Sequence, residues 1–325
     1  MAGKIQFSLE DFQKAAIQYR KELLMLPIIG CNDTLQFMTG RPGIRYMERV
    51  GTISGNAQFA PYKAGKSSDF DLNLDFRDLA TFFGSVVAKF EPNSAVSTIL
   101  GAGATKGDGQ MATPSAKHVL ALIAKSLSEH LNQAIWSAKR NADGSSTADL
   151  FNGFDTITDT EIAAGNIAAE KGNYLKISEE ITAANAVDVA KQIMYSLDPR
   201  LRGRECFMYC SQDFLDKYNE GYLLTHGNIP YNTQYGQTAV EGSNGLLKFV
   251  PLFNKADSKY IHVSPRENML VGYDQMGDVE SILVKEFEPF VLSYIATMFF
   301  GVQFESIDKR RLKVVELASA NSVTE

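Results

Sequence analysis

From Arg45 to about Leu100 the apolar residues of this chain recur at every second position, and that period limits what its first third can become. The clearest stretch runs from Asp69 to Phe76, where Asp69, Asp71, Asn73 and Asp75 alternate with Phe70, Leu72, Leu74 and Phe76. Such alternation predicts a half-buried strand, with the acids on its wet face. A polar, small-residue tip (APYKAGKSSD) precedes it, and before the tip lies a second extended run, MERVGTISGNAQF. Two extended runs joined by a flexible tip predict a long hairpin-like projection. A hairpin of that length carries backbone hydrogen-bonding edges, which need cover.

The rest of the chain has mass enough for a substantial core, since 325 residues suit one large or two medium domains. Hydrophobic residues at 45% and charged residues at 22% are ordinary for a globular protein. A net charge of −6 supplies no general attraction to nucleic acid or anionic membrane, so any enclosed nucleic acid would be contained rather than gripped. Three cysteines, Cys31, Cys206 and Cys210, speak against a disulfide framework and for a reducing compartment. The start MAGKIQFSLEDFQK lacks a secretory apolar region, and Phe287 to Phe304 is too short and interrupted for a membrane span. The chain reads as cytosolic at synthesis.

Helical spacing of Phe12, Ala16, Tyr19 and Leu23 predicts an amphipathic helix from Ser8 to about Leu26. Ser8 would cap it, Asp11 would complete an approximate capping box, and Pro27 would close it. The strongest helical pattern spans 114–140, with Pro114 at its first position. Its apolar stripe is Ala116, Val119, Leu120, Ile123, Leu127, Leu131, Ala134 and Ile135. Helix and strand then alternate. A helix is expected from about Ala184 to Leu197 with Val187, Ala190, Ile193 and Met194 inward, and a strand at Glu205–Cys210. Ser211 would cap a short helix (QDFLDKYNE), and strands would follow at Leu247–Leu252, Lys259–Val263 and Met269–Tyr273. Tyr222 to Gly245 has the composition of an exposed loop, and Val279 to Leu317 has strand character.

No residue is nominated as catalytic, cofactor-binding or metal-ligating. The glycine-rich segment Gly101–Gln110 precedes a helix, but Lys106 lies between Thr105 and Gly107, so neither phosphate-loop nor dinucleotide spacing is met. DFDLNLD opens like a calcium loop, yet its sixth position is Leu74 and its twelfth Ala80. Cys206 and Cys210 fall on one face of a strand, too far apart to share a metal, and read as small buried hydrophobes. His118, His130, His226 and His262 are scattered and match no catalytic or zinc spacing. The run DKRRLK (308–313) reads as a solvated face or interface rim, with a weak contact to enclosed nucleic acid as the functional alternative. Phe299, Phe300, Phe304 and Tyr294 read as core or oligomer interface.

The ordered set of parts resembles the major capsid protein of tailed phages, whose fold is also used by encapsulins. The likeness covers nearly the whole chain and is carried most clearly by NAVDVAKQIMYSL, ECFMYC, SQDFLDKYNE, FVPLF, NMLVGYDQMGDV and VLSYIATMFFGVQFESIDKRRLKVVEL. In the first half, RPGIRYMERVGTISGNAQFAPYK and DLFNGFDTI look like capsid proteins of phages and prophages of anaerobic gut bacteria. The resemblance implies an α+β chain with an N-terminal arm (1–45) and an extended β-hairpin loop lying across a neighbour (46–80). It also implies a peripheral domain (81–149 and 279–325) with a long spine helix at 114–140, and an axial α/β domain (150–278).

It implies, further, a non-enzymatic subunit that self-assembles through pentamers and hexamers into an icosahedral shell around double-stranded phage DNA, without sequence-specific binding. Portal and head-decoration proteins would be partners, membranes would not, and the virion capsid would be built in the bacterial host cytoplasm. Two departures stand out. No basic residue lies between Phe287 and Asp308, where relatives often place them for inter-subunit ion pairs. The arm helix begins at Ser8, which leaves no scaffolding extension and implies a separate scaffolding protein or a processed form. The alternatives are a shell of the same fold around protein cargo, and a cytosolic α/β enzyme with an unrecognised site.

Overall fold

The computed structural model describes residues 9–19, 23, 26, 28, 30–55, 72–91, 116–226, 238–274, 282–288 and 291–318. In chain order its elements are α1 (Leu9–Gln18), α2 (Asn32–Leu35), β1 (Thr39–Pro42), β2 (Met47–Gly55), β3 (Leu72–Ala80), β4 (Phe82–Phe90) and α3 (Ala116–Ser137). There follow α4 (Phe154–Ala163), β5 (Tyr174–Lys176), α5 (Ala186–Tyr195), α6 (Pro199–Arg202), β6 (Cys206–Ser211) and α7 (Gln212–His226). The closing strands are β7 (Leu247–Leu252), β8 (Tyr260–Ser264), β9 (Met269–Asp274), β10 (Ile282–Glu288), β11 (Val291–Phe304) and β12 (Lys313–Glu316). The glycine-rich segment 101–110, Ser8, Pro114 and the hairpin tip lie outside the described residues.

These strands form two five-stranded sheets and one two-stranded ribbon. In the first sheet β11 is central. It pairs antiparallel with β4 along one edge and with β10 and then β9 along the other, while β1 adds in parallel to β9. The second sheet has the order β5-β12-β8-β6-β7, so the last strand among the described residues enters the middle of a sheet built mainly from residues 174–264. One core lies where α3 and α4 meet both sheets, around Trp136, Phe154, Tyr209, Phe300 and Phe304. A second core lies beneath α5 and α7, and a third joins α1 and α3 to β10 and β11.

Local patterns account for most of these elements. The expected inward residues Val187, Ala190, Ile193 and Met194 of α5 are all buried, and the Ser211 hydroxyl accepts from the Phe214 N–H at 3.3 Å to cap α7. The strands expected at 205–210, 247–252, 259–263 and 269–273 are found within a residue of those bounds. Three boundaries differ. The long helix stops at Ser137 rather than at about 140, because Lys139 N–H turns to the Ala148 carbonyl and Ala138 O accepts from Gly153 N–H and the Thr156 hydroxyl. The N-terminal helix α1 ends at Gln18, and helical backbone is found again at Leu23, Leu26 and Ile28, past the expected end at about Leu26, with Gly30 N–H donating to Leu26 O; Pro27, expected to close the helix, lies outside the described residues. Residues 222–226, expected in a loop, extend α7 to fifteen residues.

Gly221 explains how α7 passes its neighbour. A Cβ there would stand 2.1 Å from the Ala183 carbonyl oxygen and 3.4 Å from Val187. The helix can cross this backbone only where no side chain intervenes. An alanine would gain up to about 1 kcal/mol of helix propensity, but forcing apart two backbone segments costs about 1–3 kcal/mol, so the clash wins. Gly221→Ala is therefore expected to lower the stability of the protein by about 1–2 kcal/mol in chemical denaturation. An unchanged or raised midpoint would show that the Ala183 segment yields freely.

Candidate assembly surface

The ribbon formed by β2 and β3 runs in unbroken antiparallel register from Met47 opposite Ala80 to Gly55 opposite Leu72. The hairpin expected from the alternation is present, but its faces are reversed. Leu74 and Phe76 are each 48% exposed and Ile53, opposite Leu74, is 65% exposed, while Asp75 and Arg77 turn toward the body. Asp75 accepts from the Ser306 hydroxyl at 3.2 Å, so this acid lies on the covered face rather than the wet one. Asp69 and Asp71 lie outside the described residues. The outer face thus carries Met47, Ile53, Leu74 and Phe76, with one exposed ion pair between Arg49 and Asp78. An apolar face on a projection is the signature of a surface meant for cover.

The base of the ribbon is fixed by packing and polar contacts together. Val50 and Leu79 are buried against Ile44 and Leu270. Thr81 N–H donates to Tyr46 O at 2.7 Å, its hydroxyl donates to Ile44 O at 3.1 Å, and Arg45 pairs with Asp274. Gly301 of β11 lets the end of β3 cross it, since a Cβ there would lie 2.1 Å from the Ala80 carbonyl oxygen. Halfway along the inner face, Arg77 Nη2 reaches Glu161 Oε1 of α4 at 2.5 Å and Gln303 Oε1 of β11 at 3.3 Å. Beside the ribbon, exposed Tyr46 and Phe83 both pack on Phe299 at ring distances of 5.2 Å, and Val87 continues the apolar surface along β4.

The residues weighed for chemistry remain scattered. Cys31, Cys206 and Cys210 are buried thiols, and burial pushes the pKa of Cys206 up to about 11 and of the other two to about 12. His130 is exposed on α3, whereas His262 is buried at the centre of β8. Among the described residues no group of three His, Cys, Asp or Glu could hold a metal ion, and no helix is long and apolar enough to cross a membrane. Of the basic run, Lys313 is buried with its ammonium on Gly172 O at 3.0 Å, and Arg311 pairs with Glu305 at 2.5 Å. Only Lys309 and Arg310 remain well exposed, beside Arg204, whose Nη2 donates to Arg310 O at 3.0 Å. A cleft of about 400 Å³ opens between α3, β4 and β11. Its polar rim is internally engaged, since Arg140 donates to Leu150 O at 2.8 Å and the Asp149 carboxylate accepts from Ser146 N–H and hydroxyl.

One polar network was not foreseen. Lys255 is fully buried, with Nζ 3.2 Å from Asp155 Oδ1, 3.0 Å from the Ser258 hydroxyl and 3.9 Å from the Trp136 ring centre. His262 Nδ1 lies 3.4 Å from that ammonium and Nε2 lies 2.9 Å from the Thr158 hydroxyl. Because Thr158 already donates to Phe154 O at 2.8 Å, the ring must carry its proton on Nε2 and accept at Nδ1. Burial, and then the Lys255 charge, hold His262 well below its ordinary pKa of 6.5. Burial also lowers Lys255, against the pull of Asp155. The network ties α4 to the second sheet. Its members are separated by about a hundred residues, and no local pattern in the chain announces it.

No protein-family model and no curated protein sequence matches the chain. Solved structures do match over nearly its whole length. A chain of the capsid of the native GTA particle, computed with C5 symmetry, superposes at TM-score 0.60 with 14% identity, covering 89% of this chain and 91% of that one. A chain of the satellite phage P4 procapsid, which includes the size determination (Sid) protein, gives 0.58 at 13% identity over 94% and 98%. The holo-SrpI encapsulin complex from Synechococcus elongatus PCC 7942 gives 0.51 at 10% identity over 90% and 89%. At these identities the likeness is one of fold, and it is the α+β shell-protein fold.

The neutral, buried His262 makes a prediction about pH. Below about pH 6.5 the unfolded chain takes up a proton that the folded ring refuses, so stability falls as pH falls. The loss is about 1.4 kcal/mol per pH unit for one such group, until the depressed folded pKa is reached. Denaturation of the protein between pH 6.5 and 5 is expected to show a steeper loss for wild type than for His262→Gln, by about one proton. Parallel slopes would mean that the ring titrates normally when folded.

Proposed function

We propose that this chain, which has the fold shared by phage capsid proteins and encapsulins, is the major head protein of a tailed phage or prophage. It would assemble through pentamers and hexamers into an icosahedral shell around double-stranded DNA. The observation that carries the reading is the outward apolar face of the β2–β3 ribbon on that fold. A single subunit leaves Ile53, Leu74 and Phe76 in water, and a neighbouring copy would cover them. In this division residues 1–45 form the arm, 46–80 the extended loop, 81–149 and 279–325 the peripheral domain with α3 as its spine, and 150–278 the axial domain. β12 would then join the two domains, because it pairs with β5 and β8.

DNA would be enclosed without sequence-specific contacts, in keeping with the net charge of −6. A separate scaffolding protein, a portal and head-decoration proteins would complete the particle, built in the host cytoplasm. No catalytic role is proposed. The similarity to the SrpI encapsulin complex favours one second reading, a shell of the same fold around protein cargo.

Expression of the chain in bacteria and negative-stain microscopy test the proposal. Closed particles support a shell; nuclease-protected DNA, or empty particles that fill only when portal and scaffolding proteins are supplied, support the phage reading, and protein-filled particles support the second. A strict monomer under every assembly condition would sink both. Leu74→Asp with Phe76→Asp is expected to leave subunit stability within about 0.5 kcal/mol, because both side chains are already half in water, yet to abolish particles. Normal particles from that variant would mean that the outer face of the ribbon is not a contact.

A further inference from the structure

At the outer edge of its apolar base, level with Val50, the β2–β3 ribbon also meets the body through polar side chains. Arg77 is the central one. Its side chain is 11% exposed and that of Glu161 16%, so the pair lies largely out of water. Glu161 is itself held, since its second carboxylate oxygen accepts from Asn166 Nδ2 at 2.8 Å and its backbone carbonyl accepts from Asn166 N–H at 2.8 Å. Gln303, which accepts from Arg77, also donates from Nε2 to Asp78 O at 3.2 Å and so grips the ribbon backbone. Arg77 Nε is buried without a hydrogen-bond partner, so the guanidinium is aimed at Glu161 and Gln303 at the cost of one of its own donors.

The clamp stands away from the pivot. The ribbon leaves the body at Thr81, where Gly301 admits the Ala80 carbonyl, and Arg77 binds four residues further out. At about 3.3 Å per residue that places the clamp some 13 Å from the pivot, and Leu72 roughly 30 Å from it. A tilt of about 10° at the pivot would therefore move the outer part of the ribbon by about 5 Å, the depth of a side chain. Hydrophobic burial at the base is non-directional, whereas the charged fork on a fixed carboxylate sets one angle.

We infer that Arg77, held between Glu161 and Gln303, is a positioning residue that sets the angle of the projecting ribbon to the body, and through it the curvature of the assembled shell. This rests on the shell reading for its second half only. The covered apolar face supplies affinity between copies, and the clamp decides the direction in which that face is presented. A loosened clamp would leave subunits that still join but join at variable angles.

The test uses the full chain with Glu161→Gln, Glu161→Ala and the exchange Arg77→Glu with Glu161→Arg. In unassembled subunits, amide exchange of 50–53 and 74–78 is expected to quicken by about tenfold in Glu161→Ala and less in Glu161→Gln, while amides of β6 and β8 are unchanged. In assembled material the diameter distribution is expected to broaden or shift for Glu161→Ala and to return toward wild type in the exchange variant. Quickened exchange throughout the subunit would reveal a general structural role and overturn the assignment. So would unchanged ribbon exchange, or an unchanged diameter from a loosened ribbon. If wild type forms no closed particle, the shell reading fails, but the exchange measurement still decides whether Arg77 positions the ribbon.

Discussion

Strand β11 is the constraint on which the other parts depend. Its fourteen residues pair with β4 on one side and with β10 and β9 on the other, joining segments up to about two hundred residues apart. The strand carries no basic residue and needs none within the subunit, because both edges are consumed by backbone bonds and one face by the aromatic core. Its apolar character follows from burial. Gly301 near its end is the exception. There the missing side chain lets the ribbon cross and leave the body.

Fold and surface divide the residues between them by range. The cores are built from periodic apolar residues, while the orientation of one part on another is set by a few polar groups between distant segments. Lys255 with Asp155 and His262 with Thr158 hold α4 against the second sheet, and Arg77 with Glu161 holds the ribbon against α4. The same helix therefore carries both locks. A shift of α4 relative to the second sheet would be felt at Glu161 and so at the ribbon. Buried ion pairs add little net stability once desolvation is counted, but breaking one leaves a charge stranded, which makes them effective at selecting one arrangement over its neighbours.

The legible part of the chain was the part governed by short-range periodicity. Helical spacing located α3 and α5, alternation found β3 beside a second extended run, and short apolar runs marked β6, β7 and β8, because each signal is contained in ten or twenty consecutive residues, whereas β5 was not expected. Alternation tells which residues share a face but not which face is wet. Asp75 and Arg77 turn inward because Ser306, Gln303 and Glu161 wait for them, and those groups lie 84 to 231 residues away. The end of α3 depended in the same way on Gly153 and Thr156, and nothing local singles out Lys255, whose partner Asp155 lies a hundred residues earlier. The candidate assembly face was half visible, since its apolar residues were identified but were assigned to the covered side.

That inversion is what gives the ribbon its character. Had the acids faced outward, the projection would have been a soluble strand pair with nothing to offer a neighbour except two backbone edges. With Asp75 and Arg77 satisfied inside, the polar residues have been spent on orientation, and Ile53, Leu74 and Phe76 are left free to be buried by another molecule. Apolar contact is tolerant of small misalignment and supplies affinity, while charged hydrogen bonds are intolerant and supply direction. A closed shell needs both from each subunit, and under the proposed function the two would occupy opposite faces of the same two strands.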